Sequence, residues 1–292
     1  MPCPFLRVGR RGSLTLESSS SSTSQPGYFL GRHEFLIRRL HSLSGLVPVG
    51  AYMCVHLLTN ASVLAGASTF QDQVDTIHRL GPVLPLVEWT FIFLPIIFHA
   101  VVGVWIAVKC EPNSGQYRYG SNIRYTLQRA TAWIALFFIF WHVFHMHGWF
   151  HNQLWMDKVA QPLFGGQFDP EHATSSAALA LSSLLAKILY AIGVVSCVYH
   201  LANGIWTAGI TWGLWITPAA QKRADYICAA FGVLFTIVGL GALYGVGRAD
   251  VTQAKAVEQA RIEQKESLER REHEIEHEQQ AETAMAPAAD VE

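Results

Sequence analysis

The chain has 292 residues, 51% of them hydrophobic and only 15% charged, where an ordinary soluble domain carries about a quarter charged residues. Its charges crowd the termini and short connections and nearly vanish from segments of about 20 residues, the length that crosses a hydrocarbon core; the chain reads as an integral membrane protein. A net charge of −1 gives no reason to invoke nucleic acid. The five scattered cysteines (Cys3, Cys54, Cys110, Cys197, Cys228) contain no Cys-x-x-Cys pair, which argues against a disulfide framework, a zinc site or cysteine-ligated clusters.

In chain order, residues 1–30 carry Arg7, Arg10 and Arg11 and then a serine run from Ser18 to Ser22. No long apolar core follows the arginines, so no secretory signal is expected; the composition predicts a disordered Ser-rich extension, a transit peptide being the alternative. Residues 31–246 hold five apolar spans, at about 39–60, 86–109, 126–149, 177–206 and 224–246. Pro95 in the second span predicts a kink. Residues 61–86 read as a connection, and Gly165, Gly166 and Pro170 mark a longer polar loop before span IV. Residues 247–292 form a charged tail of good helix formers with sparse apolar positions, expected to be a solvated helix or disordered because no sustained heptad seam is visible.

Basic residues cluster before span I (Arg32, Arg38, Arg39), between II and III (Lys109, Arg118, Arg124, Arg129) and between IV and V (Lys222, Arg223). The positive-inside rule then puts the N-terminus in the cytoplasm and the C-terminus outside.

Four spans each carry a histidine inside an apolar run: His56, His99, His142 and His200. An ionisable group at membrane depth is functional by default, and neutral imidazole is the commonest metal ligand. Counting 1.5 Å per residue, His56 and His142 lie about 25 and 21 Å from the inner edge, while His99 and His200 lie at the midplane or below. Pairing by depth gives His56 with His142 and His99 with His200, two levels that would each clamp a haem iron. Bis-imidazole ligation fills both axial positions, so such centres transfer electrons and do not activate ligands. The competing reading is that some of these histidines only bond to neighbouring helices.

Four stretches carry a resemblance: 38–50 (RRLHSLSGLVPVG), 93–105 (FLPIIFHAVVGVW), Gln128-Arg129 ahead of Trp141-His142, and 200–206 (HLANGIW) with Thr211-Trp212-Gly213. In this order they resemble the di-haem cytochrome b558 membrane subunits of bacterial succinate:menaquinone oxidoreductases and quinol:fumarate reductases. The resemblance implies an all-α, five-transmembrane-helix bundle enclosing two b-type haems in the bacterial cytoplasmic membrane. It implies that His56 and His142 ligate the outer haem and His99 and His200 the inner one. It also implies a flavoprotein subunit and an iron–sulfur subunit on the cytoplasmic face, with menaquinone or another quinone as substrate in the membrane lipid. Dicarboxylate chemistry would then reside in the flavoprotein.

Further candidates follow from that frame. His41, at the inner mouth of span I, suits a haem propionate, a quinone or the iron–sulfur subunit, and plain interfacial solvation accounts for it equally well. Ser42, Ser44 and Arg129 are propionate candidates, because a propionate needs charge-assisted donors. His145 competes with His142 as a ligand, while His147 and His151 read as interfacial. Glu88, at the outer start of span II, suits proton exchange with a quinone; the competing reading is a carboxylate favoured by the helix dipole. Val198 stands where some quinol:fumarate reductases carry an acid for proton transfer, which tilts the reading toward succinate oxidation over the reverse reaction. A histidine-lined metal transporter is the reading of another class; it should show acids at the midplane or broken helices, and the spans lack intramembrane carboxylates.

Overall fold

The computed structural model describes residues 28–109, 120–150 and 152–285, and is all-helical across them. The expected extension at 1–30 lies outside the described residues up to position 27, as do Cys110, Arg118 and His151. Among the described residues five helical stretches are long and apolar enough to cross a membrane: His33–Ala65, Gly81–Lys109, Asn122–His147, Leu184–Thr211 and Pro218–Arg248. Phe91, Val101, Phe137 and Ile237 stand more than half exposed on them, an outward apolar surface that lipid would cover.

The first crossing is built from α1 (Tyr28–Leu46) and α2 (Pro48–Ala61). Pro48 has no N–H to offer the preceding turn, so the hydrogen-bond ladder is interrupted there. Where the sequence suggested only a connection, α3 (Ala67–His78) forms, with Phe70 and Val74 buried one turn apart. The second crossing runs through α4 (Leu84–Glu88), a π-turn (Trp89–Phe93) and α5 (Leu94–Lys109). That π-turn lies just ahead of Pro95, where a kink was expected: the Leu94 N–H reaches back five residues to the Trp89 carbonyl.

The third crossing is α6 (Gly120–His147), followed by the single turn α7 (Gln153–Trp155). The fourth span differs from expectation. Its apolar start is a separate helix, α8 (Ala173–Ala180), and the crossing itself is α9 (Leu184–Thr211). Ser183 makes the break: it is extended, and its hydroxyl caps the new helix by accepting from the Ala186 N–H at 3.0 Å. The last crossing is α10 (Pro218–Arg248), and α11 (Val251–Met285) follows.

Helix α9 is the hub, packing on α6, α10 and α1, while α10 also packs on α2 and α1 on α5. Small residues let α9 and α10 approach: a Cβ on Gly239 would fall 2.5 Å from Val194 Cγ1. At one end of the bundle α3 and α8 form a roof. Its core joins Phe70, Val74, Ala177 and Leu181 to Tyr190 of α9 and Val246 of α10. Buried Gln71 pins it, donating to the Pro170 carbonyl at 2.7 Å and accepting from the Ala173 N–H at 3.1 Å.

The tail is not wholly solvated. Glu258 of α11 is fully buried and accepts from the Thr174 and Ser175 N–H groups at 2.7 and 3.1 Å and from Ser175 Oγ at 2.6 Å. Its carboxylate thus satisfies the open donors at the start of α8, where the helix dipole favours negative charge. One turn on, Arg261 pairs with Asp72 and Asp75 and donates to Ser68 Oγ. Glu258→Ala leaves those buried donors unsatisfied, at about 1–3 kcal/mol each. It should release α11 from the roof, read as faster amide exchange across residues 173–178 and 253–262; exchange unchanged from wild type would contradict the latch.

Candidate functional site

The four intramembrane histidines meet in two pairs. His99 of α5 and His200 of α9 have ring centroids 6.2 Å apart with planes at 82°, and His56 of α2 and His142 of α6 have centroids 5.8 Å apart at 73°. His99 and His200 lie ten and eleven residues before the ends of their helices at Lys109 and Thr211, so about 15–17 Å from that face. The fourth crossing continues past Trp206, where the span was expected to end, to Thr211.

Hydrogen bonds set which nitrogen each ring presents. His99 Nδ1 is 2.9 Å from the His41 carbonyl and His200 Nδ1 is 3.2 Å from the Gln128 carbonyl. A carbonyl only accepts, so both Nδ1 atoms carry the proton and both Nε2 lone pairs are available; this support shell is typical of metal-ligating histidines. Behind His200, Gln128 Nε2 donates to the His200 carbonyl at 3.2 Å, and Asn203 Nδ2 donates to Gln128 Oε1 at 2.7 Å. Arg124 donates to Asn203 Oδ1 and pairs with Asp225 on α10. His41 stacks on His99 at 4.0 Å. Gly45 leaves room for this: its Cβ would lie 2.2 Å from His99 Cε1.

In the other pair, the Tyr190 hydroxyl lies 3.2 Å from His142 Nδ1 and 2.9 Å from His145 Nδ1. Phe138 stacks on the His142 ring with centroids 5.6 Å apart. His145 is buried and stacks on Trp141 at 4.8 Å; it supports Tyr190, while His142 is the ring that faces His56. Asn60 Nδ2 donates to the His56 carbonyl at 2.8 Å. Tyr52 tilts against His56 with centroids 5.5 Å apart, and the Glu88 carboxyl lies within electrostatic range of Tyr52. Glu88, half-buried at the end of α4, thus belongs to the neighbourhood of this pair.

The remaining candidates gather near the first pair's face. Ser42 and Ser44 are half-buried on α1, and Ser44 Oγ donates to the His41 carbonyl at 3.0 Å. Arg129 lies over the Tyr125 ring at 4.1 Å with a buried Nη1 that has no hydrogen-bond partner. An acidic group from outside the chain would satisfy such a donor.

The spacing of each pair fits two imidazoles that would hold one metal between them. An imidazole nitrogen lies about 1.1 Å from its ring centre and a metal–imidazole bond is about 2.0 Å, so opposed ligands place their centroids about 6 Å apart. No group of three or more histidine, cysteine or acidic side chains converges among the described residues, so each pair would serve a metal whose equatorial ligands are not protein side chains. Sequence reasoning missed Tyr190, Gly45, Asn203 and Arg124. Tyr190 and Asn203 had a usable signal, a polar tip within an apolar span that must find a partner.

No family model matches the chain. It is 36% identical over 214 residues to the succinate dehydrogenase cytochrome b558 subunit of Bacillus subtilis (strain 168), an alignment covering 73% of this chain and 98% of that relative. With nearly the whole relative accounted for and the helical crossings present, the chain belongs to the family of succinate dehydrogenase cytochrome b558 subunits.

Proposed function

We propose that this chain is the membrane-anchor subunit of a succinate dehydrogenase, binding two b-type haems and carrying electrons from an iron–sulfur subunit to menaquinone or another quinone. The observation that carries the reading is the pairing of four intramembrane imidazoles at about the spacing of axial ligands, with Nδ1 of both inner rings tied to a carbonyl. When bound, each haem supplies a one-electron centre closed to other ligands. His99 and His200 would hold the inner one and His56 and His142 the outer one; Tyr190 and the Gln128 carbonyl orient the rings. Arg129 would neutralise a propionate, with His41, Ser42 and Ser44 beside the inner site.

A belt of cations over indoles marks the face of the inner pair: Arg38 and Lys109 over Trp105, Arg39 over Trp212, Arg124 over Trp206. Tryptophan favours either membrane interface and basic residues favour the cytoplasmic one, so the cations support placing the N-terminus and the docked flavoprotein and iron–sulfur subunits there. Residues 31–246 would form the haem domain. Val198, two residues before His200 on α9, is buried, and the lack of an acid at that position favours succinate oxidation over the reverse reaction. The test is quinone-linked succinate oxidation by the assembled complex, paired with a redox titration: two b-type components and quinone-dependent turnover support the reading, and a single component or a colourless subunit overturns it.

Glu88, at the end of α4, would exchange a proton with a quinone headgroup near the outer pair. Glu88→Gln keeps shape and loses the proton-accepting group, so quinone reduction should fall about 10²-fold or more, the scale of lost general acid–base catalysis. Both haem bands should stay intact. Unchanged turnover with menaquinone analogues would assign Glu88 to helix capping alone.

A further inference from the structure

The distal half of α11 carries a feature that electron transfer does not use. Residues 273–277 read His-Glu-Ile-Glu-His, two imidazoles spaced by four, which a helix places on one face. In the structure the His273 and His277 rings lie 4.5 Å apart at 33°, and both residues are exposed. Glu269 and Glu276, four before and three after His273, share that face. Between Glu266 and Glu278 six glutamates outweigh two arginines, and Arg270 is occupied by Glu266 at 3.9 Å. We propose that His273 and His277 form a two-imidazole site for a divalent first-row transition metal ion such as zinc, and that binding clamps this turn of the helix.

Spacing and neighbourhood decide the ligand class. Imidazole selects zinc, copper or nickel over calcium and magnesium, which take oxygen ligands. The same motif in a metallopeptidase works with a third protein ligand and a cleft. Here no third donor converges among the described residues, and the rings face open solvent, so water completes the shell and the site binds without hydrolysing. The mechanical consequence follows from the absence of packing. Residues 268–280 are all exposed, and a helical segment without tertiary contacts is marginal in water. A metal bridging positions i and i+4 fixes one turn, and the turns beside it propagate at lower cost.

The experiment is amide hydrogen exchange on the purified full-length complex with and without zinc chloride, for the wild type and for a chain carrying His273→Gln and His277→Gln. Zinc should slow exchange several-fold across residues 270–280 in the wild type and leave the double variant unaffected, with both haem bands unchanged in each. Equal slowing in the double variant, or no effect of zinc on the wild type, overturns the site. Neither outcome bears on the histidine pairs within the membrane.

Discussion

Exchanging His200 for alanine should remove one b-type haem from the complex and leave the other, and His99→Ala should remove the same one. His56→Ala and His142→Ala should each remove the second. The grouping follows from which rings face each other, at 6.2 and 5.8 Å between centroids. Succinate-dependent quinone reduction should fall at least about tenfold in all four, since removing even a supporting partner of a metal ligand costs about 10–100-fold. His200→Met guards against an alanine variant that fails to assemble: methionine is also an axial haem ligand and raises the potential, so this chain should keep two haems with one titrating higher. A redox titration of each variant checks the set; loss of different components from His99→Ala and His200→Ala would break the pairing.

The second large effect is expected from a residue with no ligand chemistry. A methyl group at Gly45 would sit 2.2 Å from His99 Cε1 and 2.5 Å from its Nδ1. His99 cannot easily retreat, because its Nδ1 is bonded to the His41 carbonyl and the His41 ring stacks on it. Overpacking of this kind costs about 1–3 kcal/mol, or about a factor of 5 to 150 in the equilibrium that keeps the ring in place. Gly45→Val should therefore lower occupancy of the His99/His200 haem and spare the other, read from the same difference spectrum. Gly241→Ala, whose added methyl meets Leu64 at an ordinary 3.4 Å, is the matched control and should change neither band. Equal haem content in Gly45→Val and wild type would mean that His99 does not hold this position.

Much of this architecture was legible because lipid imposes a simple rule: a crossing must be long, apolar and helical. His56, His99, His142 and His200 stood out against that background, and helical rise sufficed to sort them by depth. What stayed hidden depends on contacts between distant segments. Phe70 and Val74 already had helical spacing, but the stretch was short and polar enough to read as a loop until α8 provided the surface they pack on. The break before α9 rests on Ser183 taking an extended backbone, and the alanine-rich run ahead of it looks like more of the same span. Glu258 is the sharpest case. A glutamate among glutamates gives no sign of burial, because its partners are two backbone N–H groups and a hydroxyl more than 80 residues away. Gly45 was likewise silent, since a glycine's role in a close approach is set by the ring that fills the space.

The most direct measurement is the number of haems per chain in the purified subunit, from the pyridine haemochrome spectrum against quantitative amino-acid analysis. Two b-type haems per chain is the result the paired imidazoles predict. A ratio of one, or protein without haem absorbance, would contradict it.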